Sequence, residues 1–358
     1  MRYRKLGNTG LMVSEIGFGT IPILSGNVPV LPGYYSPEPG EAVRIMEHAL
    51  GLGCNLFDTA IVPEYGDAEI KLGLFAHRVG RDRIIISDKA RFFTGNEMYE
   101  AVLASCKNLG TYADIYFAHQ VDPGNEDDVF GPYGALDALA ELKAEGRIRF
   151  AGVATHYYDI LLRGAKDPRV DVLQGSGNIL ERGMLNRMEQ EPAFGQKGFL
   201  VNKLYAAGIL PTFFPVQTLI GGVLAYPVSS ALIGLGTVDE VDQAMGAEYD
   251  AAQRPGFSEV MAVLEKQFSP IGCDRCQRCS CAFGTEIHTL FRQYNYFYLG
   301  KNYWALRKLD LSIRESAMAC RSCTNQTCAA QCPKGIRIPE MMEHILALTQ
   351  AHIRNGIV

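Results

Sequence analysis

Eight of the ten cysteines crowd into residues 273–332. Cys273, Cys276, Cys279 and Cys281 fall in "GCDRCQRCSCAFG", and Cys320, Cys323, Cys328 and Cys332 in "CRSCTNQTCAAQCPKG". In a reducing compartment such clustering argues for metal ligation over a disulfide framework. Two chemistries suit it: iron–sulfur clusters held by four thiolates each, or structural zinc, for which paired C-x-x-C units also supply four sulfurs. Cys54 and Cys106 stand apart and read as small buried apolar residues. A second set of residues could move protons: Asp58 in "NLFDTA", Lys89 in "IIISDKA" and His119 in "DIYFAHQVDP". Singly these types are more often a capping Asp, a snorkelling Lys and a satisfied core His. Together, each closing a β-rich run, they would share one rim.

That rim needs a scaffold. Short β-rich runs at 14–20, 55–59, 83–87, 114–118, 149–154, 171–174, 199–202 and 230–234 alternate with stretches of three/four apolar spacing, such as "PGEAVRIMEHALGLG". Eight strand–helix alternations in some 250 residues predict a (β/α)8 TIM barrel, an α/β fold whose active sites lie at the C-terminal strand ends. An open doubly wound sheet would carry a Gly-rich turn after its first strand, and "GFGTIPILSGNVPVLPGYY" is a poor one. Arg254-Pro255-Gly256 breaks the last barrel helix. The expected domains are therefore a barrel over 1–253 and a small, mainly helical, ferredoxin-like iron–sulfur domain over 254–358. The aromatic-rich segment between the two thiol groups supplies that domain's core and could also shield a cluster.

The second thiol group has spacings of two, four and three residues and ends in Cys332-Pro333. It resembles the bacterial ferredoxin run, with spacings of two, two and three before its Cys-Pro. In such runs the fourth cysteine binds the other cluster. The resemblance implies two 4Fe–4S clusters, one on Cys273, Cys276, Cys279 and Cys332, the other on Cys320, Cys323, Cys328 and Cys281. Both groups depart from the pattern: one residue separates Cys279 from Cys281, Ala282 replaces the proline, and two residues are added before Cys328. A 3Fe–4S cluster or a non-protein ligand remains an alternative.

The barrel segment resembles the aldo-keto reductases through "MRYRKLGNTGLMVSEIGFGT", "FDTA", "YGDAEIKLG", "GRIRFAGVATH" and "SSALIGLGTVDEVDQAM", in that order. With the cysteine tail, the likeness is to the branch carrying a C-terminal 4Fe–4S ferredoxin-type domain. The resemblance implies an Asp, Tyr, Lys, His mechanism. Tyr protonates a carbonyl while a nicotinamide gives hydride, Lys lowers the Tyr pKa, Asp pairs with Lys, and His orients the carbonyl. Asp58, Lys89 and His119 match these positions. The usual Tyr position, five after the Asp, is Pro63; Tyr65, directly before the Gly of "YGDAE", becomes the acid if the loop holds two extra residues. Tyr34 and Tyr35 are outside candidates for lining the substrate pocket.

For a nicotinamide, the resemblance implies carboxamide contacts from Thr155, after Ala154, and from Gln174, with Asn202 near the ring-stacking position. Gly234, Gly236 and Thr237 precede a helix start that could hold the pyrophosphate. No basic residue lies between Leu204 and Gln253, while Asp239, Glu240 and Asp242 open the helix. A 2′-phosphate wants Arg or Lys nearby, so NAD(H) is preferred over NADP(H). Clusters pass single electrons and a nicotinamide passes a hydride, so coupling them usually takes a flavin; the sequence has no secure flavin motif, and a flavin is not excluded.

The chain holds 358 residues with 47% hydrophobic content and mean hydropathy near zero. It has no run of about 20 apolar residues and no secretory signal in "MRYRKLGNTG", so it is expected in the cytoplasm, without membrane association. Residues 254–358 carry 13 Lys+Arg and 8 Asp+Glu, a surplus of +5 that leaves −10 on the rest. No basic run is dense enough for nucleic acid. The basic tail would suit an acidic electron-transfer partner of ferredoxin or flavodoxin type. The expected function is an oxidoreductase of anaerobic metabolism acting on a carbonyl/alcohol group or related small organic substrate. The rival is a non-redox lyase or isomerase on the same barrel with structural clusters.

Overall fold

The computed structural model describes residues 1–25, 36–246, 248–251, 253–266, 269–301 and 303–354. Tyr34 and Tyr35 lie outside these. The strands are β1 (Tyr3–Lys5), β2 (Met12–Ser14), β3 (Ile16–Gly19), β4 (Leu56–Asp58), β5 (Ile85–Ala90), β6 (Ala113–Val121), β7 (Ile148–Thr155), β8 (Val172–Ser176), β9 (Gly198–Asn202) and β10 (Ser230–Gly234). The last eight form a closed parallel barrel in the order β10-β3-β4-β5-β6-β7-β8-β9. This is the TIM barrel expected from the sequence, each strand falling on one of the eight β-rich runs.

The helices follow as α1 (Pro39–Gly51), α2 (Ala68–Val79), α3 (Gly95–Leu109), α4 (Glu126–Phe130), α5 (Ala135–Ala144), α6 (Tyr158–Lys166), α7 (Gly183–Glu189), α8 (Val216–Leu224), α9 (Val238–Met245), α10 (Phe257–Leu264), α11 (Ile287–Gly300), α12 (Tyr303–Ser322), α13 (Thr327–Ala330) and α14 (Ile338–Arg354). By contacts the chain divides into two units. The first is Met1–Gly177, Met188–Leu204 and Val216–Arg254; the second is Asn178–Arg187, Tyr205–Pro215 and Pro255–Val358.

In the first unit the β1–β2 hairpin, absent from the sequence reading, pairs Arg4 with Val13. Its Leu6 and Val13 are fully buried against Leu56, Ile85, Ile115, Val172, Leu200 and Leu232, residues at or near the starts of the barrel strands. Each such fully buried side chain contributes about 1.5–3 kcal/mol, so the hairpin seals the end opposite the strand C-termini. Gly7 permits the approach: its φ is +52°, and a Cβ there would lie 2.2 Å from the Gly198 nitrogen. Cys54 is buried as expected, its thiol pushed up to about 11 by burial. Cys106, expected to be buried too, is only partly buried.

In the second unit α11 to α14 surround a core that includes Ile287, Phe291, Tyr294, Phe297, Ile313 and Met342. Phe291, Tyr294 and Phe297 recur at three- and six-residue offsets on α11, which turns one aromatic face inward. Cys328 belongs to this core, and Cys273, Cys279, Cys281, Cys320 and Cys332 pack against it.

Candidate active site

Asp58 is the last residue of β4, and Ser87 and Lys89 share one face of the neighbouring β5 because strand side chains alternate. The register sets Asp58 opposite Ser87. The Asp58 carboxylate accepts the Ser87 hydroxyl at 2.6 Å, the Lys89 ammonium at 2.5 Å and the Gln174 amide at 2.9 Å. Lys89 also donates to the Thr59 carbonyl at 2.7 Å, and both Asp58 and Lys89 are buried. Burial opposes the ammonium, but Asp58 outweighs it and holds Lys89 above its ordinary range. The lysine stays cationic.

Tyr65 ends a single 3-10 turn, Pro63–Tyr65, and its N–H donates to the Val62 carbonyl at 2.9 Å. Gly66 follows with φ +51° and ψ −119°, a conformation that L-residues avoid. The turn brings the phenol ring centroid within 5.2 Å of the Lys89 nitrogen. Burial pushes the phenol up, and the Lys89 charge pulls against that rise. Asp58, Tyr65 and Lys89 therefore come together in one group.

His119, near the end of β6, is pushed well below its ordinary range by burial and then by Lys89, Arg91 and Lys203. It is a neutral imidazole at physiological pH, and its buried Nδ1 has no hydrogen-bond partner. A neutral imidazole can donate one hydrogen bond to a substrate oxygen without carrying charge. Arg91 pairs with Glu64 at 3.0 Å and Lys203 meets His156 at 3.0 Å; neither pair was singled out from the sequence. Ser87 was missed as well, though it lies two residues before Lys89 on the same strand face.

The residues expected to hold a nicotinamide divide. Gln174 Oε1 and Asn202 Oδ1 are buried acceptors without partners, which fits a carboxamide NH2 group. Thr155 does not offer a donor: its hydroxyl donates to the Val121 carbonyl at 2.5 Å and accepts from the Tyr157 N–H at 3.1 Å. At the phosphate end, the Gly236 N–H donates to Glu240 Oε2 at 2.7 Å, and the Thr237 hydroxyl caps Glu240 N at 3.2 Å. Glu240 thus occupies a donor that a pyrophosphate would use, whereas Gly234 is exposed.

Within the second unit the loop carrying Cys273, Cys276 and Cys279 has no regular structure and is pinned from outside. Asn295 brackets Ile271 with two bonds of 2.9 Å, the Gly183 N–H donates to the Asp274 carbonyl at 2.7 Å, and Arg187 donates to the Cys276 carbonyl at 3.0 Å. Arg275 and Gln277 are left-handed, with φ of +59° and +57°. The N–H of Cys276, between them, donates to Asp274 Oδ1 at 3.2 Å.

The thiols act on one another within and across the two sequence groups. Burial pushes Cys279 up to about 11, reinforced by Cys276, Cys332 and Cys328; Cys276 also feels Cys332, and Cys273 feels Cys279 and Cys276. Burial likewise raises Cys320 to about 11, with Cys281, Cys328 and Cys323 adding to it. Cys281 behaves differently. Burial would raise its thiol, but bonds from Phe283 and Thr285 outweigh that and lower it, which favours the thiolate that ligates metals. Among the described residues no group of three His, Cys, Asp or Glu is arranged to hold a single metal ion.

Residues 15–195 match the aldo/keto reductase family. The chain is 33% identical over 168 residues to L-galactose dehydrogenase of Arabidopsis thaliana, covering 44% of this chain and 49% of that enzyme, so it spans about half the plant protein's length. It is 27% identical over 309 residues to the NADH-specific methylglyoxal reductase of Escherichia coli (strain K12), covering 80% and 84%. Among solved structures, an aldo-keto reductase from Pseudomonas aeruginosa superposes with a TM-score of 0.58 at 28% identity, covering 68% of this chain and 94% of that one. The holo form of an aldo-keto reductase from Bacillus halodurans, at 21% identity, covers 77% and 100% with a TM-score of 0.60, a likeness of fold. A closed barrel with a buried Asp–Lys pair at its rim and a match over half the chain lead to one conclusion: this protein belongs to the aldo/keto reductase family.

Proposed function

We propose that the enzyme interconverts a carbonyl and an alcohol on a small organic substrate, using NAD(H) in preference to NADP(H). We further propose that its C-terminal unit is a ferredoxin-type domain whose eight cysteines hold two 4Fe–4S clusters. When bound, a nicotinamide supplies the hydride and the clusters exchange single electrons with an acidic partner. The barrel residues do the rest. Asp58 anchors Lys89, Lys89 keeps positive charge beside the phenol, Tyr65 gives its proton to the carbonyl oxygen, and neutral His119 donates a hydrogen bond to that oxygen. As negative charge develops there, the fixed ammonium and the imidazole stabilise it without reorganising.

The observation that carries this reading is the buried Asp58–Lys89 pair beside the Tyr65 ring. For the clusters, support comes from the donor set: eight cysteines in two sequence groups, of which Cys279 lies within electrostatic reach of Cys276, Cys332 and Cys328, and Cys320 of Cys281, Cys328 and Cys323. For NAD(H), support comes from Glu240 on the Gly236 N–H and from Asp242, held by His48 at 2.6 Å, at the opening of α9. A 2′-phosphate would meet carboxylates there.

An anaerobic preparation tests the whole reading. We expect about eight iron atoms per chain with inorganic sulfide, tighter binding of NADH than of NADPH by fluorescence titration, and reduction of a carbonyl probe such as methylglyoxal. Tyr65→Phe should lower kcat by a factor of at least about 100 with NADH binding retained. Zinc without sulfide would remove the clusters. Full activity in Tyr65→Phe would remove the proposed acid.

A further inference from the structure

Along β5 the residue before Lys89 faces the other way, into the layer between barrel and helices. Asp88 is fully buried there, in register with Tyr116 of β6. Against it lies Glu69 of α2, 3% exposed, and the two carboxyl groups stand within hydrogen-bonding reach. Gly73, one turn beyond Glu69, lets α2 approach α3: a Cβ there would lie 2.4 Å from the Leu109 carbonyl. That approach brings Asn108 to Glu69.

The oxygens are unequally served. Asp88 Oδ1 accepts the Lys89 backbone N–H at 2.8 Å, and Glu69 Oε2 accepts the Asn108 amide at 2.7 Å. Asp88 Oδ2 and Glu69 Oε1 are buried and have no donor. Among the described residues neither carboxyl forms an ion pair. The other titratable groups facing Asp88 are Cys106 of α3 and Tyr116, whose phenol is engaged with the Ser105 hydroxyl at 2.8 Å; beyond the strand lie Lys89 and Tyr65. Two carboxylates facing each other in a dry layer would be two unpaired buried charges, which proteins avoid by binding a proton.

We propose that Asp88 and Glu69 share one proton, Asp88 Oδ2–H donating to Glu69 Oε1, so that Asp88 stands neutral behind Lys89 and is a positioning residue for the Lys89–Tyr65 pair. One proton satisfies both orphaned oxygens and leaves the pair a single negative charge, with the Asn108 amide beside it. Burial and the Glu69 charge both hold Asp88 well above the usual carboxylate range, which agrees with this assignment. The consequence reaches the site through charge. An ionised Asp88 would compete for the field of Lys89 and raise the Tyr65 phenol, as its contribution there has the raising sign. A neutral Asp88 reserves the ammonium for Asp58 and the phenol. The catalytic relevance rests on the reading of Tyr65 as the acid; the shared proton does not.

Infrared spectroscopy at neutral pH should show the C=O band of a protonated carboxylic acid in the parent protein. The band should vanish in Asp88→Asn, whose amide still donates to Glu69 and should preserve the melting temperature. Tyr65 ionisation is read as the difference between tyrosinate absorbance titrations of each protein and its Tyr65→Phe counterpart. Glu69→Gln gives Asp88 a donor, drives it to ionise and should raise the Tyr65 midpoint by about half a unit. Asp88→Asn/Glu69→Gln should return that midpoint to the parental value or below. Absence of the band, its persistence in Asp88→Asn, or a Tyr65 midpoint unmoved in folded Glu69→Gln would overturn the proposal. Full turnover in Tyr65→Phe with band and shift as expected would sink the proposed mechanism and leave the shared proton standing.

Discussion

His119 shows how a single side chain is set by its surroundings. An ordinary histidine titrates within the physiological range, but this one is stripped of water and faces the charges of Lys89, Arg91 and Lys203. It stays neutral in the folded protein well below pH 6.5, whereas in the unfolded chain it protonates near its ordinary value. Above about pH 6.5 both states are neutral and the residue is silent. Below that, the unfolded state binds the additional proton, so stability falls as pH falls, with a slope approaching 1.4 kcal/mol per pH unit. Denaturant unfolding of the parent and of His119→Gln at pH 7.5, 6 and 5 checks this. The parent should lose stability faster on acidification, and equal slopes would show that His119 does protonate in the folded state.

The turn Pro63–Tyr65 carries the argument at the scale of an element. The offset expected from the resemblance falls on Pro63, and the residue of this turn that stands beside Lys89 is Tyr65. Gly66 holds the turn's exit in a conformation for which side-chain space is not the obstacle: a Cβ would come only to 3.6 Å from Leu24. Gly66→Ala therefore acts through the backbone, costing about 1–3 kcal/mol, and should displace the phenol from Lys89. We expect kcat for a carbonyl probe reduced by the parent to fall by more than KM rises, with circular dichroism unchanged; a parental kcat would mean that the phenol position does not depend on the turn. The strands were legible because barrel cores repeat apolar runs, and Asp58, Lys89 and His119 because they close such runs. The Asp58–Gln174 bond was not legible, since β4 and β8 stand on opposite sides of the closed barrel and their side chains meet only across its interior. Glu240 was read only as a charge at the helix opening; Thr237-Val-Asp-Glu240 is a capping-box pattern, whose Glu here reaches one residue further back, to the Gly236 N–H.

At the scale of the whole molecule, the second unit raises a question of stability that its apolar core alone does not answer. Cys328 lies inside that core and five other cysteines pack against it. Burial pushes Cys273 up to about 12 and Cys279 and Cys320 to about 11, so without a metal these three thiols are protonated at neutral pH. Ligation requires thiolates, hence loading must release protons and must weaken as pH falls. A group that binds the folded unit and not the unfolded chain adds its binding free energy to stability. We therefore expect anaerobic calorimetry to resolve a transition of the second unit that shifts to lower temperature when iron is removed by a chelator, while the barrel's transition stays in place. Reconstitution with iron and sulfide should restore it and acidify an unbuffered solution. A melting profile indifferent to chelation would mean that the thiols pack as ordinary apolar side chains. Restoration by zinc alone would assign the eight sulfurs to structural zinc and take single-electron chemistry away from this enzyme.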